Sequence, residues 1–363
     1  MTKNFKLFWI IALVVIGFSF TSCFDSSSDS TGSDIADGGD GGDGGDGGDG
    51  SDSPVGTWTV ISTVGGPFGV TNINGIAYGG GTFIAVGDNG KIACSPDGIN
   101  WTPRTISALA GAISCIAYGD YSGGVFVAVG VDAVGDIAVA YSTDKGLTWT
   151  KVTGSTLGMT YKGFGGIGIG ISIAYGEGVF VAVGANVMEY SNDGGRSWTA
   201  VGDTKFGSSD ISNIAYGGGK FVAVGEDAKT AYSTNGSSWT AGTVTPFVGT
   251  PVELITSIVY VEGKFVAVGY YGNVAYSTDG ITWTKANTNY NMSSFIAIAY
   301  GGGKFVAVGL AYTGYSTNGI NWTFKDDAIQ LLGDQHDLYG IAYGGGRFVA
   351  VGDRGNLMYS SGD

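Results

Sequence analysis

Four stretches of the 363-residue chain place an Asp two residues after a Ser and shortly before a Gly and a Trp: Asp97, Asp144, Asp193 and Asp279. Carboxylates on a repeating frame can gather round a hard cation, which takes about 6–8 oxygen ligands. Two further copies, however, carry Asn235 and Asn318 at the same point. Asn makes the same turn but is a poorer ligand for such an ion. The pattern therefore predicts a hairpin turn. Ser and Asp side chains bind nearby backbone N–H groups, Gly supplies positive φ, and Trp packs between sheets.

Other chemistry is thinly supplied. His336 is the single His, so neither a multi-His zinc site nor a well-stocked nucleophile–base pair can be assembled. No metal or cofactor is expected, and no catalytic set is assigned. Cys94 ends a third strand and Cys115 begins an innermost one, so two buried thiols are expected and no disulfide. Three features rise above this background. The connection after Trp149 is far longer than its equivalents. The one after Trp322 carries Lys325, Asp326, Asp327, Asp334, Gln335, His336 and Asp337. Tyr270, Tyr271, Tyr290 and Tyr312 form an aromatic group able to stack on sugar rings or grip a peptide. The rival reading is a glycan hydrolase or lyase working through loop acids such as Asp334 and Asp337, because carboxylate pairs can cleave glycosides.

The elements that hold these loops are repeats. A phrase of the form "IAYGGGTFIAVG" begins at Ile76, Ile116, Ile173, Ile214, Ile258, Ile298 and Ile341. Its mean period of about 44 residues suits a four-stranded propeller blade. Each unit reads as strand, Gly turn, strand, loop, strand, turn, strand. "FVAVG" is apolar on both faces, as a strand covered on both sides must be. The seventh unit ends at "MYSSGD" with three strands, whereas residue 55 onward opens with an orphan strand around Trp58. Together they predict an all-β, seven-bladed propeller spanning 55–363, closed by its N-terminal strand. Loops into first strands, and those between second and third strands, should emerge together on one face.

Composition agrees. The chain holds 68 Gly, well above the ~7% of ordinary proteins, as many tight turns require. The net charge of −14 is concentrated: nine Asp and no Lys or Arg fall within 24–54. The mildly acidic remainder argues against nucleic acid as a partner, since phosphate binding needs clustered cations. Lys3, Lys6 and the apolar run to Phe20 make an export signal over 1–22, too short to span a bilayer comfortably. The Gly/Asp/Ser stretch over 23–54 cannot bury apolar surface and reads as a self-repelling tether.

Resemblances extend this reading. "FTSC" resembles the bacterial lipoprotein box, with Phe20 where Leu is usual, which implies lipidation at Cys23. It also implies a cell-envelope address outside the cytoplasm, with the outer membrane or cell surface favoured over the inner membrane. "STDKGLTW" and its relatives resemble the Asp-box (BNR-repeat) propellers, and "VGDNGKIACSPDGINW" is similar to photosystem II assembly-factor propellers. Sialidases share the Asp-box and use three Arg on one carboxylate. Here only Arg104, Arg196, Arg347 and Arg354 occur in the body, with no Arg-Ile-Pro segment. The resemblance thus implies a monomeric recognition or scaffold protein binding a protein or glycan, without sialidase chemistry.

Overall fold

The computed structural model describes residues 19–20, 24–25, 56–62, 66–153, 171–243, 246–247, 254–288, 294–310, 312–333 and 336–361. Most of the leader and tether, Cys23, the connection at 154–170, Tyr290, Asp334 and Gln335 lie outside the described residues.

Seven antiparallel sheets, each with four consecutive blade strands, follow one another round a ring. Blade one comprises Ile73–Gly79, Thr82–Gly87, Lys91–Ser95 and Thr102–Thr105. The later blades open with Ile113–Gly119, Ser172–Gly176, Ile211–Gly217, Ile255–Val261, Phe295–Gly301 and Leu338–Gly344. Ser19–Phe20 and Phe24–Asp25 also pair with each other, and Ser19 pairs with Tyr216 on the inner edge of blade four. The second strands are buried almost throughout, which accounts for a strand with two apolar faces.

Closure is as the repeat count requires. Blade seven runs Leu338–Gly344, Arg347–Gly352 and Leu357–Ser360, and its fourth strand is Trp58–Ser62. Trp58 pairs with Ser360 and Val60 with Met358. The Ser361 N–H donates to the Thr57 carbonyl at 2.8 Å, while Thr57 N–H donates to Ser361 Oγ at 2.9 Å. The Trp58 indole is 4% exposed, and its Nε1–H donates to the Tyr315 hydroxyl at 2.9 Å. One side chain therefore ties the first strand of the domain to blade six as well as blade seven.

A second closed circuit sits at the far end of the innermost strands. Each "IAY" tyrosine tilts against the Phe of its own second strand, as in Tyr78–Phe83 at 4.5 Å and Tyr343–Phe348 at 4.8 Å. Six of the seven also lie on the last residue of the preceding blade's first strand. A Cβ on Gly79, Gly119, Gly176, Gly217, Gly301 or Gly344 would overlap the ring of Tyr118, Tyr175, Tyr216, Tyr260, Tyr343 or Tyr78 respectively. The last pair joins blade seven to blade one. These glycines are required by close approach, not by φ. Carboxylates of preceding blades reinforce three seams: Asp120 beside Tyr175, Glu177 beside Tyr216, and Glu262 accepting from Tyr300.

The outer edges are protected unevenly, in step with their length. Four blades end in two-residue strands, too short to template pairing. The longer ones are guarded. Thr102–Thr105 contains Pro103, and Asn321–Lys325 is covered by the parallel strand Asn287–Thr288. Trp58–Ser62 is flanked by the helix Asp327–Leu332.

Candidate functional site

The Ser-x-Asp turns use their polar groups internally. In six blades the Gly N–H donates to the Ser Oγ at 2.8–2.9 Å. Asp97 Oδ1 accepts from the N–H groups of Ile99 and Asn100 at 2.9 and 2.8 Å, and from the Ser95 hydroxyl. Asn235 Oδ1 does the same for Ser237 and Ser238 at 3.0 and 2.9 Å. In four of the copies the Trp indole N–H then donates to the turn Gly carbonyl. The Thr282 and Ile281 N–H groups hold the Asp279 carboxyl down, to about 2. At Asp97 burial pushes the carboxyl up, but hydrogen bonds led by Asn100 outweigh it and leave it well below the usual range. Lys220 and Lys264 extend from neighbouring blades to the Asp279 and Asn318 carbonyls at 2.8 and 3.0 Å. Among the described residues no group of three His, Cys, Asp or Glu side chains is placed to hold a metal. Of the two thiols expected to be buried, Cys115 is, whereas Cys94 is only half-buried, with burial still pushing its thiol up.

The opposite face gathers most of the expected residues. Between second and third strands, blades four, five and seven make a tight 3₁₀ turn: Glu226–Ala228, Tyr270–Gly272 and Asp353–Gly355. Its middle residue takes left-handed φ, at 55° for Asp227, 56° for Tyr271 and 50° for Arg354. Asp tolerates that region; Tyr and Arg do so at a cost. Tyr271 is 37% exposed, and its N–H donates to Ser294 Oγ at 3.4 Å. Tyr270 is half-buried, and burial together with the nearby Asp337 charge pushes its hydroxyl up. Asp337 bridges Leu310 of blade six, two residues before Tyr312, whose N–H donates to the Leu310 carbonyl at 3.0 Å. Tyr270, Tyr271, Tyr312, His336 and Asp337 therefore belong to adjoining loops of blades five to seven.

Two residues that the sequence reading passed over complete this group. The N–H of Asp337 donates to Asp353 Oδ1 at 3.3 Å, and the Asp353 N–H donates to the Asp337 carbonyl at 3.0 Å. His336 Nδ1 lies 3.2 Å from the same Asp353 oxygen and 2.9 Å from Asn356 Nδ2. Asn356 is fully buried; its Nδ2 also donates to Asp353 Oδ1 at 3.0 Å. Burial, then the Asp353 charge, push the Asp337 carboxyl up, with His336 opposing. The available signal was "GDRGN" in blade seven, which echoes "GDNGK" at the same second-to-third-strand loop of blade one. Lys325 and Asp326, by contrast, are drawn to the outer edge. Lys325 pairs with Thr313 in the sheet, and Asp326 accepts from the Gln330 side chain at the start of the helix.

The group offers an exposed phenol, a carboxyl whose hold on its proton burial strengthens, an imidazole and the exposed Arg354 guanidinium, whose Nε lies 3.7 Å from Asp353 Oδ2. That set can stack on a ring and exchange hydrogen bonds with a polar ligand, and it includes one acid and one base.

No protein-family model and no curated protein matches the sequence. Similar solved structures do exist. A catalytically inactive variant of virginiamycin B lyase from Staphylococcus aureus, with quinupristin, aligns at TM-score 0.66 and 14% identity, covering 84% of this chain and 98% of the other. YCF48 bound to D1 peptide aligns at 0.60 and 17%, covering 86% and 99%. The GH74 enzyme of Niastella koreensis aligns at 0.54 and 20%, covering 81% of this chain but 43% of the other. At such identities the likeness concerns architecture alone, and it agrees with the sheets described above: this chain is a seven-bladed β-propeller of four-stranded antiparallel blades.

Proposed function

We propose that the protein is a noncatalytic recognition or scaffold module of the bacterial cell envelope, anchored through lipid on Cys23 and held off the membrane by the 23–54 tether. It acts as a monomer outside the cytoplasm, at the outer membrane or cell surface, and binds a protein or glycan rather than nucleic acid. The observation that carries this reading is the meeting of Tyr270, Tyr271, Tyr312, His336 and Asp337 on adjoining loops of blades five to seven. A propeller of the same architecture is known with a peptide bound. The Asp-box likeness of the turns supports a rigid frame, since their side chains are consumed within it.

A second reading follows from one feature. Asp337, with its carboxyl raised by burial, stands beside Asp353 and His336, so an acid and a base are adjacent. A lyase shares the architecture. Glycan-array and pull-down measurements on the wild type and Tyr271→Ala decide between the partners. Capture of one glycan class or one envelope protein, lost in the variant, supports recognition. Turnover of a bound glycan, abolished by Asp337→Asn, supports the lyase or hydrolase reading instead. Membrane fractionation of Cys23→Ser tests the anchor: the variant should leave the membrane fraction.

A further inference from the structure

The geometry points to an acid-tightened clip at the entrance of blade seven, worked by His336. Three polar atoms stand within 2.9–3.2 Å of one another: His336 Nδ1, Asn356 Nδ2 and Asp353 Oδ1. The three cannot all bond at once. With Nδ1 unprotonated, Asn356 donates one amide hydrogen to the imidazole and the other to Asp353, and two acceptors are left facing each other. With Nδ1 protonated, the ring donates to Asp353 Oδ1 as a charge-assisted bond, and the Asn356 N–H that pointed at it must turn away. The imidazole is the only one in the chain, and imidazole is the side chain whose charge changes most readily near neutral pH.

The segment it controls is defined. Asp353 Oδ1 also accepts from the Asp337 N–H, so the atom that binds the imidazolium holds the first residues of blade seven's innermost strand. Across the turn, Arg354 N–H donates to Asn72 Oδ1 of the loop into blade one at 3.1 Å. The clip thus sits at the seam between the last blade and the first. The charged and titratable groups around it are Asp337 on its own segment, Asp353 and Arg354 on the turn, and Tyr270 of blade five facing Asp337. While the His336 imidazole is unprotonated, the Asp353 and Asp337 carboxylates repel each other. As pH falls the imidazole gains a proton and turns that repulsion into an ion pair with Asp353. Asp337 neutralises in the same direction and adds to the effect.

Blade four provides an internal contrast. There the matching N–H, of Asp210, donates to Glu226 Oε2 at 3.0 Å, and the entry loop is pinned by Lys229, whose ammonium donates to the Phe206 carbonyl at 3.1 Å and Ser209 Oγ at 2.6 Å. Lys keeps its charge across the range in which His changes.

Hydrogen exchange of the full chain at pH 7.5 and 5.5, with exchange times scaled for the intrinsic rate, tests the clip. Peptides covering 336–340 should become protected roughly three- to tenfold more strongly at the lower pH, while 206–212 should not change. His336→Gln, and separately Asp353→Asn, should each remove at least half of that gain. A wild-type segment indifferent to pH overturns the proposal, as does a gain that both variants keep by more than half. The measurement needs no ligand, so it stands or falls apart from the recognition reading.

Discussion

The two faces of the ring treat their polar groups in opposite ways. On the turn face, six blades repeat one hydrogen-bonding scheme, and Asp, Asn, Ser and most of the Trp indoles are satisfied within a few residues. On the loop face, the second-to-third-strand turns keep one backbone shape but fill it with Asp227, Tyr271 or Arg354, and the entry loops are pinned by Lys229 in one blade and by His336 and Asp353 in another. Where every blade gives the same answer, the constraint is the ring itself. Where each gives a different one, side chains are left with capacity to spend on a ligand or a proton. Substitutions should therefore cost stability on the turn face and at the seams, and cost binding on the loop face.

The strongest test of the architectural half is the closure. Removing residues 55–63 strips blade seven of its fourth strand and exposes the pairing edge of Leu357–Ser360. The domain should then lose cooperative unfolding or melt far lower. Trp58→Ala alone should cost ~3–5 kcal/mol in denaturant titration, because it loses both the buried indole and the hydrogen bond to Tyr315. An unchanged transition after the deletion would show that the ring does not depend on its latch.

The tyrosine circuit comes next. Gly301→Ala places a methyl into the ring of Tyr343 and should destabilise by about 1–3 kcal/mol. Blade five shows how a seam can adapt: Val261 stands where the other six have Gly, and Tyr300 there bonds Glu262. Val261→Gly should therefore bring little or no gain in thermal unfolding. A large gain would mean that blade five is strained rather than adapted.

These seams were only half legible in the sequence. The period, the blade count and the shared last sheet could be read directly, because seven phrases met seven body tryptophans and one orphan strand. The turn role of the Ser-x-Asp copies was legible too, since Asn235 and Asn318 ruled out a demand for charge. The Tyr-on-Gly circuit was not, because it joins the end of one first strand to the ring of the next, a relation between blades that a single repeat does not display. Of the site, the Tyr and His336–Asp337 cluster was visible as irregularity against the repeat. Asp353 and Asn356 escaped because they sit inside a phrase that repeats, "GDRGN", and their use differs only through what the preceding loop brings to them.

A smaller effect separates charge from shape on the turn face. Asp279 is held down, to about 2, by the N–H groups of Thr282 and Ile281, against an unfolded value of 3.8. A folded pKa below the unfolded one means that its stabilisation is present above about pH 4 and is lost as pH falls through 2. Asp279→Asn keeps the acceptor, as Asn235 does naturally, so its unfolding at pH 7 should change little. Its acid limb between pH 4 and 2 should be shallower than that of the wild type. A variant that is strongly destabilised at pH 7 would show that the turn needs charge, contrary to blades four and six.

The least effect on stability belongs to Tyr271. Its ring is exposed, and its backbone holds a left-handed φ of 56°, which Gly adopts freely and Tyr does not. Tyr271→Gly should leave the melting temperature within a degree or two of wild type, or raise it slightly, because relief of the strained φ offsets the added freedom of the unfolded chain. The same change should abolish or sharply weaken capture of whatever the loop face binds. Gly272 and Gly355 take the same left-handed region at the next position of the turn in blades five and seven. A phenol kept there against the preference of the backbone must therefore be explained by its surface. If Tyr271→Gly neither weakens binding nor leaves stability intact, the division of labour between the two faces fails at its clearest point.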